Sequence, residues 1–192
     1  KLMKEVILSQ VYQHPLISAD DLRRIIDAHH PRSFKKGEVI YKRGKVLNEY
    51  LVLESGLIRS YTHNDHGDEI TTDFFGQYEV VIEVLSLFQR TPLQEDLHAL
   101  TDGCGWTIPY DTFQELFHTI PGFSEWGRLW MTNKLFQFKQ KSIDIITQSA
   151  KERYLDILTN KPQVIRHAPL KQIASFLGIT DTSLSRIRKD IG

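Results

Sequence analysis

The residues best placed to do chemistry stand close together near the end of the chain. Asp181, Thr182, Ser183, Ser185, Arg186, Arg188 and Lys189 surround the apolar pair Leu184 and Ile187. Helical spacing puts Leu184 and Ile187 on one buried side and turns the polar set outward. Such a face suits duplex DNA. The planar fork of Arg186 matches O6 and N7 of guanine, which makes it the candidate for a bidentate base contact. Asp181 and Thr182, in the first helical turn, are the other candidates for base edges. Thr180, Ser183, Ser185, Arg188 and Lys189 are candidates for phosphate anchoring. Lys171, opening the preceding helix, joins them. The plain alternative is a solvated helix face.

The elements that position this face are legible beside it. Ile173, Ala174 and Leu177 form an apolar stripe one helix earlier. Gly178 stands where that helix must stop in a left-handed turn. Thr180 is the expected N-cap of the second helix, and Ala174 is small where two steeply crossing helices need close approach. Helix, glycine turn and capped helix make a helix-turn-helix unit.

A formal net charge of zero over 192 residues argues at first against a nucleic-acid binder. The charge is unevenly spread. Residues 1–133 hold 13 basic and 19 acidic residues, a net of −6, and residues 134–192 hold 11 and 5, a net of +6. An acidic body with a basic tail is expected when only the tail meets phosphate. Cys104 is the single cysteine, so an internal disulfide or an iron–sulfur cluster is excluded. No segment has the length and hydropathy of a membrane span. The chain reads as cytoplasmic, without a membrane partner.

Residues 4–14 and the Ser18-capped segment after them suggest two short helices. From Phe34 to about Pro109 the period changes to two. Val39–Tyr41, Tyr50–Glu54, Leu57–Tyr61, Glu69–Phe75, Leu97–Thr101 and Trp106–Ile108 are β-branched or aromatic runs, divided by turn signals such as Asn64-Asp-His-Gly67. They predict an antiparallel roll or barrel. His29-His30 invites a metal reading, but sequence neighbours point different ways and no carboxylate follows at ligand spacing. His63 and His66 fall in a predicted hairpin turn, short of the clustered histidines and carboxylate of a barrel enzyme. No metal or catalytic residue is assigned.

Phe34-Lys-Lys-Gly37-Glu-Val-Ile-Tyr41 with Gly44, and Tyr50-Leu-Val-Leu-Glu-Ser-Gly56, resemble the opening strands of cyclic-nucleotide-binding β-rolls. Joined to the C-terminal helix-turn-helix, this order resembles the CRP/FNR family of bacterial transcription regulators over nearly the whole chain. The resemblance implies an α+β fold: an N-terminal antiparallel β-roll or jelly roll (residues 1–120), a long dimerisation helix (121–148) and a helix-turn-helix domain (149–192). It also implies a homodimer on double-stranded DNA, with RNA polymerase as a further partner, and no enzymatic activity. The alternative kept beside it is a small-molecule sensor or interaction module that does not bind DNA.

In cyclic-nucleotide-binding members a short helix and loop begin with Gly-Glu and end in Arg followed by Ser or Thr. The arginine and hydroxyl hold the cyclic phosphate, and the glutamate takes a ribose hydroxyl. Here Gly76, Gln77, Tyr78 and Glu79 are matched to the opening, with Gln77 in the glutamate's place. Leu93 and Gln94 are matched to the arginine and hydroxyl, with Glu95 and Asp96 following. Desolvating a cyclic phosphate with no cation to meet it costs several kcal/mol, so neither cAMP nor cGMP is expected as a cofactor.

Residues 121–150 form one long helical pattern. Trp126, Leu129, Phe136 and Ile143, with Asn133 on the same side, make one stripe, and Met131, Leu135, Phe138 and Ile145 make another. One stripe can cover the chain's own roll and the other requires a partner. The first is assigned to a parallel dimer seam, with Asn133 fixing its register. Beyond it, Tyr154, Leu155 and Leu158 are expected to face the C-terminal core.

Overall fold

A computed structural model describes residues 2–192. Two short helices open the chain, α1 (Leu2–Val11) and α2 (Ala19–Asp27), the latter capped by the Ser18 hydroxyl accepting from Asp21 N–H. Strands β1 (His30–Phe34), β2 (Val39–Tyr41), β3 (Glu49–Ser55), β4 (Ile58–His63), β5 (Glu69–Phe75) and β6 (Val80–Val81) follow. After helix α3 (Val84–Gln89), strands β7 (Asp96–Ala99) and β8 (Gly103–Pro109) complete the roll. Helices α4 (Tyr110–Thr119), α5 (Pro121–Thr147), α6 (Ala150–Asn160), α7 (Pro162–His167), α8 (Leu170–Leu177) and α9 (Asp181–Ile191) complete the chain.

The strands form two antiparallel sheets, ordered β1-β8-β3-β6 and β2-β7-β4-β5. Gly56 carries the chain from β3 in one sheet to β4 in the other. Its φ is +100°, and an added Cβ would stand 3.0 Å from both the Asp102 carbonyl oxygen and the Phe34 ring, so only glycine fits. The β4–β5 hairpin turns on Asn64, whose side-chain oxygen accepts from His66 and Asp68 N–H, as an Asx-turn does.

Alternation sends Tyr50, Val52, Ile58, Phe75, Val81, Leu97 and Ile108 into a first core, completed by Ile7, Ile25, Phe113 and Phe123 from the helices. A polar chain lies inside it. The Tyr12 hydroxyl meets Tyr50 OH at 2.8 Å and His29 Nε2 at 2.9 Å, while His29 Nδ1 donates to the Ile25 carbonyl. The adjacent histidines thus divide as their alternation requires: His29 is buried and His30 exposed.

Helix α5 begins on the roll and leaves it. Trp126 is 8 % exposed, and its indole N–H donates to the Val11 carbonyl of α1. This corrects its assignment to the dimer seam: the side chain belongs to the chain's own core. The face α5 turns inward continues through Trp130, Lys134, Lys141 and Asp144, becoming polar as it descends. Leu129, Asn133, Phe136 and Ile143 remain exposed, as do Leu135, Phe138, Ile145 and Ile146 on the opposite row. Beyond residue 130 the predicted stripes reach the roll only through Met131 and Phe138, which border hollows against it.

A second core gathers Tyr154, Ile157, Val164, Ala168, Ile173, Ala174, Leu177 and Leu184 with Leu57, Phe74 and Leu100 of the roll. Leu155 and Leu158 point outward, contrary to expectation, and Ile157 takes the inward place. Helix α6 is fixed by a capping box between Ser149 and Glu152, which sets a phase that puts Tyr154 and Ile157 on the buried side.

Candidate nucleic-acid interface and effector cavity

Helix α8 ends as its sequence requires. Gly178 adopts φ +67°, and the Gly178 and Ile179 N–H groups return to the Ser175 and Ala174 carbonyls. Thr180 then caps α9, its hydroxyl accepting from Ser183 N–H at 3.2 Å. Ile173, Ala174, Leu177 and Leu184 are buried, and this fixes which side of α9 is outward. Thr180, Asp181, Thr182, Ser185, Arg186, Arg188 and Lys189 are exposed, as is Lys171 at the start of α8. Ser183 is half-buried and bonded to Thr180, and the Ser185 hydroxyl donates to the Asp181 carbonyl. Arg186, Arg188 and Lys189 enter no ion pair among the described residues. Three uncommitted cations on one convex helix are what a phosphate backbone can draw on.

The unit is seated on the roll. Ser175 Oγ accepts from Thr71 N–H, the Phe74 and Phe176 rings meet edge-on at 5.1 Å, and Lys141 Nζ donates to the Thr72 carbonyl. The first two contacts hold α8 against β5, the third ties α5 to the same strand, and α9 is left facing solvent.

The other side of β5 lines a cavity of about 320 Å³ between the roll and α5. Thr72, Asp73 and Phe75 of β5, with Ser60, Glu83, Glu95, Trp130, Lys134 and Phe138, form most of its wall. Three carboxylates thus face a single ammonium. The residues matched in sequence to the effector opening lie elsewhere. Gly76, Gln77, Tyr78 and Glu79 form the turn from β5 to β6, where Glu79 accepts from Gly76 N–H and Lys161 Nζ. Gln77 and Tyr78 border a separate open cleft beside Gln163 and His167. Leu93 is buried in the first core, and Gln94 borders a shallow hollow with Thr91 and Pro92. These six residues form no single site.

The family described as cyclic nucleotide-binding domain matches residues 31–119. Electron transport regulator A of Shewanella oneidensis is 25% identical over 179 residues, covering 88% of this chain and 70% of the relative. The fumarate and nitrate reduction regulatory protein of Yersinia pestis is 25% identical over 180 residues, with the same coverage. In architecture the chain is similar to a CRP/FNR-family transcriptional regulator from Eubacterium rectale. The TM-score is 0.69 at 19% identity, over 93% of this chain and 86% of that one. The chain is thus similar, in sequence and in fold, to regulators of the CRP/FNR type.

Within the CRP/FNR frame, the short helix of the effector segment is α3, and the residue before it is Glu83. Its carboxylate caps α3, accepting from Leu85 and Ser86 N–H. The carboxylate that opens the short helix is thus Glu83, six residues beyond Gln77. A turn and the short β6 lie between the two. Arg90, the cation nearest the end of α3, is committed elsewhere: it donates to the Leu47 carbonyl and the Asn48 side chain and stacks on Tyr110 at 3.8 Å. Trp130 and Lys134 line the cavity although neither apolar stripe includes them, because on α5 they stand between the two.

Proposed function

We propose that this CRP/FNR-type transcription regulator works as a homodimer that reads duplex DNA with α9, and that its roll cavity takes no cyclic nucleotide. The observation that carries the reading is the uncommitted outward face of α9, with Arg186 flanked by Arg188 and Lys189. Its relatives are regulators, and the exposed Leu129–Phe136–Ile143 row offers the second copy a seam. A two-fold pair sets two recognition helices into successive major grooves about 34 Å apart. Asp181, Thr182 and Arg186 take base edges, while Lys171, Thr180, Ser183, Ser185, Arg188 and Lys189 hold phosphates. A mobility-shift titration on genomic fragments tests this: binding must fall steeply with salt and must be lost when the α9 cations are removed. Salt-independent retention would overturn it.

Against a cyclic nucleotide stand the three carboxylates of the cavity, and the commitment of Arg90 to its own fold. Titration calorimetry with cAMP and cGMP should give no heat of binding, and a micromolar affinity would refute the assignment. Contact with RNA polymerase follows from the family relationship and is tested by transcription in vitro. A cytoplasmic site of action goes with a DNA target. Among the described residues no helix is long and apolar enough to cross a membrane.

A further inference from the structure

Where α5 leaves the roll, its lower half runs past α6 and α8 and encloses a groove of about 340 Å³. Phe136, Ile145, Ile157 and Phe176 give it apolar walls, and Lys141, Arg153 and Lys161 converge on it. Asp144 and Asp156 also border the groove. Each is already engaged by amides of its own helix, Asp144 by Gln140 and Gln148 and Asp156 by Asn160.

The three cations are not equally satisfied. Lys141 donates to the Thr72 carbonyl, while Lys161 donates to the Phe74 carbonyl and is also paired with Glu79 and Asp73. Arg153 gives one terminal nitrogen to the Leu177 carbonyl, but its Nε is buried with no partner among the described residues. A buried donor costs free energy until an acceptor arrives. Lys141 is held below the usual lysine range, chiefly by burial. Asp73 offsets part of this, and Lys161 adds to it. An anion entering the groove meets the Arg153 guanidinium and offsets the repulsion among the three cations.

We propose that this groove binds an organic anion, a carboxylate or sulfonate carried on an apolar body. Arg153 is its charged anchor, and Ile157 and Phe176 form its apolar wall. The site is distinct from the roll cavity, whose carboxylates disfavour such a ligand. Its consequence rests on the DNA-reading proposal: an occupant touching α5, α6 and α8 together fixes the reading unit against the dimer helix.

The test is a fluorescence titration of the full chain with 1-anilinonaphthalene-8-sulfonate, an aryl sulfonate of suitable size. Saturable binding at one site per protomer is expected, weakened about tenfold or more by Arg153→Gln. Gln137→Glu, which places a carboxylate on the groove wall without removing a side-chain hydrogen bond, should weaken it similarly, so a misfolded Arg153 variant leaves the test intact. Lys134→Gln, in the roll cavity, should change nothing. Non-saturable binding, or groove variants that bind as well as the wild type, overturns the proposal by placing the dye on the exposed rows of α5. Loss on Lys134→Gln overturns it in favour of the roll cavity. A mobility shift on the same samples keeps the two readings apart: dye without DNA binding defeats the regulator, and DNA binding without dye defeats the groove.

Discussion

The ammonium of Lys161, at the joint between α6 and α7, lies 2.8 Å from the carbonyl oxygen of Phe74 in β5. The same strand sends Thr72 and Phe75 into the roll cavity and gives its Thr71 N–H to Ser175 of α8. One strand is thus the common wall of the cavity and the seat of the reading unit. A shift of β5 on either side must be felt on the other.

Removing the Lys161 tie should loosen that seat. Lys161→Met loses the bond to Phe74 and the contact with Glu79, both only partly shielded. The cost is about 1 kcal/mol once solvent screening is allowed for. Hydrogen exchange should speed up in α8 and α9 while the strands of the first core keep their protection.

Arg186 and Lys189 should fail differently. Arg186→Ala is expected to cost ~1–3 kcal/mol on the selected site and to relax preference at one base per half-site. Lys189→Ala should weaken all sequences alike and reduce the salt slope by about 1 per removed contact. Competition assays with single-base variants at two salt concentrations separate the two outcomes.

Gly178 tests the turn itself. An added Cβ would meet nothing within 4 Å, so only the φ of +67° opposes a side chain. Gly178→Ala should therefore cost ~1 kcal/mol by thermal unfolding while DNA affinity holds. A larger loss of affinity than of stability would show that the turn touches the duplex.

Acid should act through His29. Burial holds its imidazole neutral, pushing the pKa down to about 4 from the usual 6.5. Below pH 6.5 the unfolded chain binds the proton and the folded chain does not. Stability is therefore complete above that pH and is lost as pH falls toward 4, by at most about 3 kcal/mol. Urea titrations at pH 7 and 5 should show this loss in the wild type and a smaller one in His29→Gln.

The parts legible from sequence are those set by local pattern. Period-two runs marked the strands, Asn64 and Gly67 marked the hairpin, and Gly178 with Thr180 placed α8 and α9. What was missed depends on contacts distant in sequence. Trp126 looked like a seam residue because its spacing matches Leu129 and Phe136, and only the approach of Val11 shows that it faces inward. Lys134 and Lys141 belong to neither apolar stripe, yet they lie on the inner face of α5. That Glu83 caps α3 depends on where that helix starts, which the sequence does not show. The seating of α8 on β5 joins Thr71 to Ser175 across the chain, and no local pattern announces it.

The central claim is that two copies, joined along α5, present two α9 helices to one duplex. Sedimentation of the full chain with a fragment selected from genomic DNA tests it most directly, wild type beside Phe136→Asp. The account predicts two chains per duplex for the wild type, and for Phe136→Asp a folded monomer with little affinity. One chain per duplex, or a monomeric variant that binds as well as the wild type, would contradict it.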